Sequence, residues 1–146
     1  MLRNKIWVAY LAVVLSSSSC VQLKKEKIIC HSKSNRCIRI LDQKSSRTIY
    51  FDQNLKSEYV KLDISKINKV MDGIFVCFYN GRIEIINPQS LIIESNFNEN
   101  SYSFSNKMEL DNKGLPNILK FHQEDCFEFN MKAEAIFPKN GSVYIK

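Results

Sequence analysis

The chain has 146 residues, enough for one domain. Apolar residues make up 45% and charged residues 25%, with four Gly and three Pro, a balance that excludes a disordered or collagen-like chain. The formal charge is +6, and no apolar run approaches the roughly 20 residues of a spanning helix, which excludes a polytopic helical membrane protein.

Arg3 and Lys5 begin a short basic stretch, and Ile6-Trp7-Val8-Ala9-Tyr10-Leu11-Ala12-Val13-Val14-Leu15 follows without a polar break. That run has the size of a signal-peptide hydrophobic region and about half that of a membrane span. Ser16-Ser17-Ser18-Ser19-Cys20 comes next. Small residues before a Cys, after a basic and apolar leader, resemble the signal of bacterial lipoproteins. Ser17 stands where Leu is commonest in that pattern. The resemblance implies removal of residues 1–19, lipidation of Cys20, and a tether over residues 20–27 leading into a domain over 28–146. It also implies a cell-envelope location facing the periplasm. Val21 in place of Asp after Cys20 is similar to the sorting of enterobacterial lipoproteins to the outer membrane. The competing reading is a secretory signal cut near Ser18 or Ser19, with Cys20 left as a thiol.

Besides Cys20 the chain has Cys30, Cys37, Cys77 and Cys126, an even number that suits two disulfides in an exported domain. Ile28-Ile29-Cys30-His31 and Arg36-Cys37-Ile38-Arg39-Ile40 read as strands around the loop Ser32-Lys33-Ser34-Asn35. That loop sets His31 opposite Arg36 and Cys30 opposite Cys37, close enough for a cross-strand bond. Cys77 and Cys126 then pair by elimination, or remain buried thiols.

Further strands are expected at Arg47–Phe51 and at Glu58–Ile64, where Val60, Leu62 and Ile64 share one face. Ile64, Ile67 and Met71 fit one short helical turn over 64–71, capped by Asp63 or Ser65 and ended by Gly73. Phe75–Tyr79 and Arg82–Ile86 flank Asn80-Gly81, the preferred centre of a two-residue hairpin turn. This register opposes Tyr79 to Arg82, Phe78 to Ile83, Cys77 to Glu84 and Val76 to Ile85. Strands follow at Leu91–Glu94, at Tyr102–Leu110 with Tyr102, Phe104, Met108 and Leu110 on the dry face, and at Ile118–His122, Cys126–Asn130, Ala133–Phe137 and Val143–Ile145. The fold class is all-β: a single small antiparallel sheet domain of about 8–11 short strands, a sandwich, a barrel or a propeller-like meander. Segments beginning at Cys37, Arg82 and Cys126 look alike and recur every 44–45 residues, a spacing similar to the blades of a β-propeller, though three blades are too few to close a ring.

Chemistry-bearing patterns are sparse. There is no phosphate-binding glycine loop, nucleophile elbow or H-E-x-x-H. His31 and His122 read as surface residues at strand ends, and Glu124-Asp125 as a solvated turn. The thiol spacing matches no zinc pattern, so no metal and no cofactor are expected. Lys24, Lys25, Lys27, Lys33, Arg36 and Arg39 form a basic cluster that could face anionic lipid or an acidic protein. These features read as a binding module rather than an enzyme. Its expected partners are another protein and, through the lipid, the membrane, with no nucleic acid. Small exported β lipoproteins without catalytic signatures are similar in outline to periplasmic immunity and inhibitor proteins that neutralise toxins or hydrolases. A structural or accessory subunit of an envelope assembly and a small-ligand carrier are the alternatives.

Overall fold

The computed structural model describes residues 25–52, 58–70, 72–114, 117, 123, 125–139 and 141–146. Among them eleven strands and no helix are found: β1 (Lys25–His31), β2 (Arg36–Asp42), β3 (Ser46–Tyr50), β4 (Tyr59–Asp63), β5 (Gly73–Tyr79), β6 (Arg82–Ile86), β7 (Leu91–Asn96), β8 (Tyr102–Ser105), β9 (Cys126–Asn130), β10 (Ala135–Phe137) and β11 (Val143–Ile145). They form two sheets. The first has the order β11-β1-β2-β3-β4-β7 and the second the order β10-β9-β5-β6-β8.

Alternation along the strands explains the layering. Ile29, Ile38, Ile40, Ile49, Val60 and Leu62 point from the first sheet into one cluster with Ile74, Val76, Phe78, Ile83, Ile85, Phe127 and Phe129 of the second. The domain is therefore a two-sheet sandwich, and neither sheet closes into a barrel. The three similar segments are not propeller blades. The first is β2 in one sheet, while β6 and β9 lie in the other. They look alike because each places an i, i+2 pair (Ile38 and Ile40, Ile83 and Ile85, Phe127 and Phe129) in the same core.

The hairpin at Asn80-Gly81 has the expected register, with Tyr79 opposite Arg82 and Val76 opposite Ile85. Gly81 takes φ +83°, the left-handed conformation that such a turn requires. Other local expectations change. From Ser65 to Val70 the chain makes isolated turns instead of a helix; Asp63 does accept the Ser65 amide at 2.8 Å, and Met71 lies outside the described residues. The strand expected over Tyr102–Leu110 ends at Ser105. Tyr102 and Phe104 pack on the main core, Met108 on a second cluster with Cys77, Ile86 and Cys126, and Leu110 is exposed. The chain thus passes from the inner to the outer face of the second sheet within these residues. β8 is also parallel to β6, because β7, the strand between them in sequence, belongs to the other sheet. The strand expected at Ile118–His122 lies outside the described residues.

Both disulfides are present. Cys30 bonds Cys37 across β1 and β2, with Cα atoms 4.0 Å apart. Cys77 bonds Cys126 across β5 and β9, with Cα atoms 4.1 Å apart. The Phe78 amide donates to the Asp125 carbonyl, so the neighbouring Cys pair occupies the narrow, non-hydrogen-bonded position where opposed side chains are closest. Each sheet therefore carries one covalent staple, with the cysteines on the face opposite the shared core.

A buried arginine lies between the sheets. Arg47 of β3 is fully buried. Its Nε donates to Asp42 Oδ1 at 2.7 Å and one terminal nitrogen to Asp42 Oδ2 at 2.9 Å and Asp72 Oδ2 at 2.8 Å. The other terminal nitrogen donates to Asp72 Oδ1 at 2.8 Å and to Asn87 Oδ1 at 2.9 Å. These bonds use all five guanidinium N–H groups. Asp42 ends β2, whereas Asp72 and Asn87 flank β5 and β6 of the opposite sheet. Burial alone would disfavour the charge, but the hydrogen bonds and fields of Asp42 and Asp72 outweigh it and raise the guanidinium pKa above its ordinary value.

The two staples should differ in their contribution to stability. The Cys77–Cys126 bond spans 49 positions and Cys30–Cys37 spans 7. Loop-closure entropy assigns about 4 kcal/mol to the longer loop and about 2.5 kcal/mol to the shorter. Urea unfolding of the paired variants Cys77→Ala with Cys126→Ala, and Cys30→Ala with Cys37→Ala, should show the larger loss for the first. Equal losses would contradict this assignment.

Candidate functional site

The most developed surface lies on the outer face of the first sheet. Arg39 of β2 pairs with Tyr50 of β3, Tyr50 with Tyr59 of β4, and Lys61 of β4 with Glu94 of β7. Because Ile38, Ile40, Ile49 and Val60 face the core, alternation turns Arg39, Tyr50 and Tyr59 outward together. Glu26 of β1 completes the row. Arg39 Nε donates to Glu26 Oε1 at 2.7 Å, and its guanidinium lies 5.4 Å from the Tyr50 ring centroid. The Tyr50 and Tyr59 rings are 6.0 Å apart and tilted by 49°. The Tyr59 hydroxyl donates to Glu94. That hydrogen bond is the main reason the phenol is held above its ordinary pKa, and so remains a donor.

The result is a connected ladder, Glu26–Arg39–Tyr50–Tyr59–Glu94, across five strands. Its side chains hold one another in place before any partner arrives. Tyr and Arg are the residues that dominate protein interfaces when pre-positioned in this way, since rings bring area at little conformational cost. The arrangement offers stacking, cation–π contact and hydrogen bonding.

The residues singled out from sequence fall differently. Cys20 lies outside the described residues. Cys30, Cys37, Cys77 and Cys126 are all in disulfides, so Cys30 provides no thiolate for its neighbour His31. The basic cluster is divided among separate partners. Lys27 pairs with Glu134 at 2.7 Å, Arg39 with Glu26, and Lys33 approaches Asp125 at 4.0 Å. Arg36 sits over the Tyr102 ring at 5.3 Å, and Lys24 lies outside the described residues. Lys27 also holds the Glu134 carboxyl below its ordinary pKa.

His31 is not a surface residue: it is 3% exposed and stacks on Phe78 at 5.1 Å. Its Nε2 donates to Asp125 Oδ1 at 3.0 Å, and its Nδ1 accepts the Ser34 amide at 3.2 Å, with Ser34 Oγ at 2.8 Å. Ser, His and Asp here resemble a hydrolytic trio in composition alone. The single Nδ1 lone pair is shared with the turn's own amide, and the carboxylate sits on the opposite nitrogen. The ring braces the β1–β2 loop against the residue that precedes β9. Asp125 is accordingly a partner of His31 as well as part of a turn; Glu124 and His122 lie outside the described residues.

Tyr50 and Tyr59 were not singled out from sequence. Their strands were legible, but their pairing depends on the register across residues 51–58, which local patterns do not encode. Arg47 was likewise assigned only to a strand.

The second sheet's outer face also carries a half-buried glutamate. Glu128 of β9 lies between Phe75 of β5 and Phe137 of β10 in register. Its carboxylate crosses Gly73 so closely that a Cβ there would lie 2.5 Å from Oε1. Burial raises its pKa above the ordinary glutamate value. The folded state therefore binds this proton more tightly than the unfolded chain. The associated stability is complete below the unfolded pKa and is lost as pH rises through the folded one. Glu128→Gln should raise the urea midpoint at pH 7, and the difference from the parent should vanish as the pH falls below the ordinary glutamate range. A difference that persists in acid would contradict the burial argument.

Comparison of the chain with protein-family models, with curated proteins and with solved structures gave no match. The described residues define the class as a disulfide-stapled, two-sheet all-β domain with a pre-ordered aromatic and charged ladder on one face.

Proposed function

We propose that the chain is an exported, lipid-anchored binding module of the periplasmic immunity or inhibitor kind, which neutralises a toxin or hydrolase by tight binding. The observation that carries this reading is the Glu26–Arg39–Tyr50–Tyr59–Glu94 ladder. Its composition is that of an interface centre, and its internal contacts reduce the ordering cost of binding. Two disulfides support export to an oxidising compartment. The leader ending at Cys20 supports a lipid anchor. The positive net charge favours a partner whose docking surface is acidic or neutral.

A second reading, a structural or accessory subunit of an envelope assembly, is favoured by β7, an edge strand among the described residues whose Leu91, Ile92 and Ile93 are exposed.

The test is capture from native lysate on the oxidised, exported chain, with the Tyr50→Ala, Tyr59→Ala double variant as a parallel bait. The expected result is one hydrolase-like or toxin-like protein held near one-to-one, inhibited while bound. Loss of either ring at the centre of the interface should weaken binding by about 30-fold or more. Retention of envelope-assembly proteins equally by both baits would overturn the inhibitor reading.

A further inference from the structure

A sheet edge presents unpaired backbone N–H and C=O groups, and β proteins blunt such edges by making them short, charged or bulged. Among the described residues three of the four edge strands are short: β8 has 4 residues, and β10 and β11 have 3 each. β7 has 6, and every one is exposed. Its first three residues are Leu91, Ile92 and Ile93, exposed by 51%, 51% and 56%. No Lys or Pro lies within the strand, and its single charge is Glu94. The apolar run coincides with a register shift against β4: Leu62 pairs with Ile92 and Lys61 with Glu94, so Ile93 is the extra residue.

We propose that β7 pairs with β7 of a second copy of this chain, antiparallel and centred on Ile92. This goes beyond the partner-binding face and does not depend on it. The sequence Ser90-Leu91-Ile92-Ile93-Glu94 is nearly self-complementary about its middle. Centring on Ile92 opposes Ile92 to its own copy and Leu91 to Ile93, and it leaves Glu94 beside the buried Ser90 at the end of the paired stretch. Every apolar side chain meets an apolar one, and the two carboxylates stay apart. Moving the centre to Ile93 sets Glu94 against Ile92, and moving it to Glu94 sets carboxylate against carboxylate. Charge and hydrophobicity therefore select one register. The two-fold axis makes the contact closed, so it yields a dimer and not a filament.

The pairing joins two six-stranded sheets edge to edge. A short edge of this kind buries less than a standard interface and is weak in free solution. Confining both copies to one surface, as the lipid anchor would, raises their effective concentration and favours the dimer. With the axis perpendicular to the sheets, the two outward faces lie on the same side. Each copy's Tyr59–Glu94 end then borders the seam, and the dimer presents two ladders side by side.

The test uses the full chain expressed in an oxidising envelope, where single-cysteine variants report proximity. Ile92→Cys should give a disulfide-linked species at twice the monomer mass on a non-reducing gel, and the parent chain should not. Leu91→Cys mixed with Ile93→Cys should cross-link, whereas Glu94→Cys alone should stay monomeric, because its copy lies several positions away. As a check on specificity in the same envelope, Ile92→Lys added to the Leu91→Cys and Ile93→Cys chains places two ammonium groups face to face and should abolish their cross-link. A monomeric Ile92→Cys chain that still reacts with maleimide would overturn the proposal. So would cross-linking of Ile92→Cys to a different protein, or cross-linking of Glu94→Cys as efficient as that of Ile92→Cys.

Discussion

A buried guanidinium sets the relation between the two sheets. Apolar packing alone is non-directional, and two faces of Ile, Val and Phe could slide over one another with little change in buried area. Arg47 removes that freedom. It leaves β3 with all five N–H groups committed, two to Asp42 in its own sheet and three to Asp72 and Asn87 of the other. Asn87 in turn donates to the Gly73 carbonyl at 3.3 Å, so the network reaches the start of β5. A charge in such a place is tolerated only when fully paired, and unpairing it is costly. The positions of Asp72, Gly73 and Asn87 relative to β3 are fixed accordingly.

The rest of the architecture follows from that constraint. Lys25, where β1 begins, pairs with Asp42, and Asp42 with Arg47, so the chain arriving from residue 24 enters at the clamped end. Tyr50 and Tyr59 lie at the far end of β3 and of the β3–β4 pair. The His31–Asp125 contact joins the sheets at that far end, and Lys27–Glu134 joins them along one side. Among the described residues the interior is filled by apolar side chains, His31 and the Arg47 ion network, and the proposed function assigns recognition to the exterior. The proposed recognition uses the pre-ordered ladder of the first sheet and β7, the longest edge strand among the described residues.

The sequence revealed what short-range rules govern. The Asn80-Gly81 hairpin and the Cys30–Cys37 ladder were readable because turn chemistry and loop length specify register locally. The Cys77–Cys126 bond was reached by elimination and is explained by β9 lying beside β5. Three features depend on pairing between distant segments and were not readable. β7 joins the first sheet, which makes β6 and β8 parallel neighbours. Similar segments 44–45 residues apart resemble repeats because a common core imposes the same i, i+2 alternation on each. Arg47 and His31 look like surface residues by type, and only the acids and the turn that satisfy them make their burial favourable. The ladder was half readable: Tyr50 and Tyr59 sit on the wet phase of their strands, but nothing local aligns the two strands.

The central claim is that Arg47 and its two carboxylates act as one unit holding the sheets together. A thermodynamic cycle tests it most directly, comparing Arg47→Met, the Asp42→Asn, Asp72→Asn double variant, and all three changes together by urea unfolding at pH 7. Arg47→Met alone leaves two carboxylates confined without their cation and should cost about 3–5 kcal/mol. Adding the two Asn changes removes the uncompensated charge, so the triple variant should be no less stable than Arg47→Met and should recover part of the loss. Losses that simply add across the cycle would contradict the account and would reduce the cluster to three independent contacts.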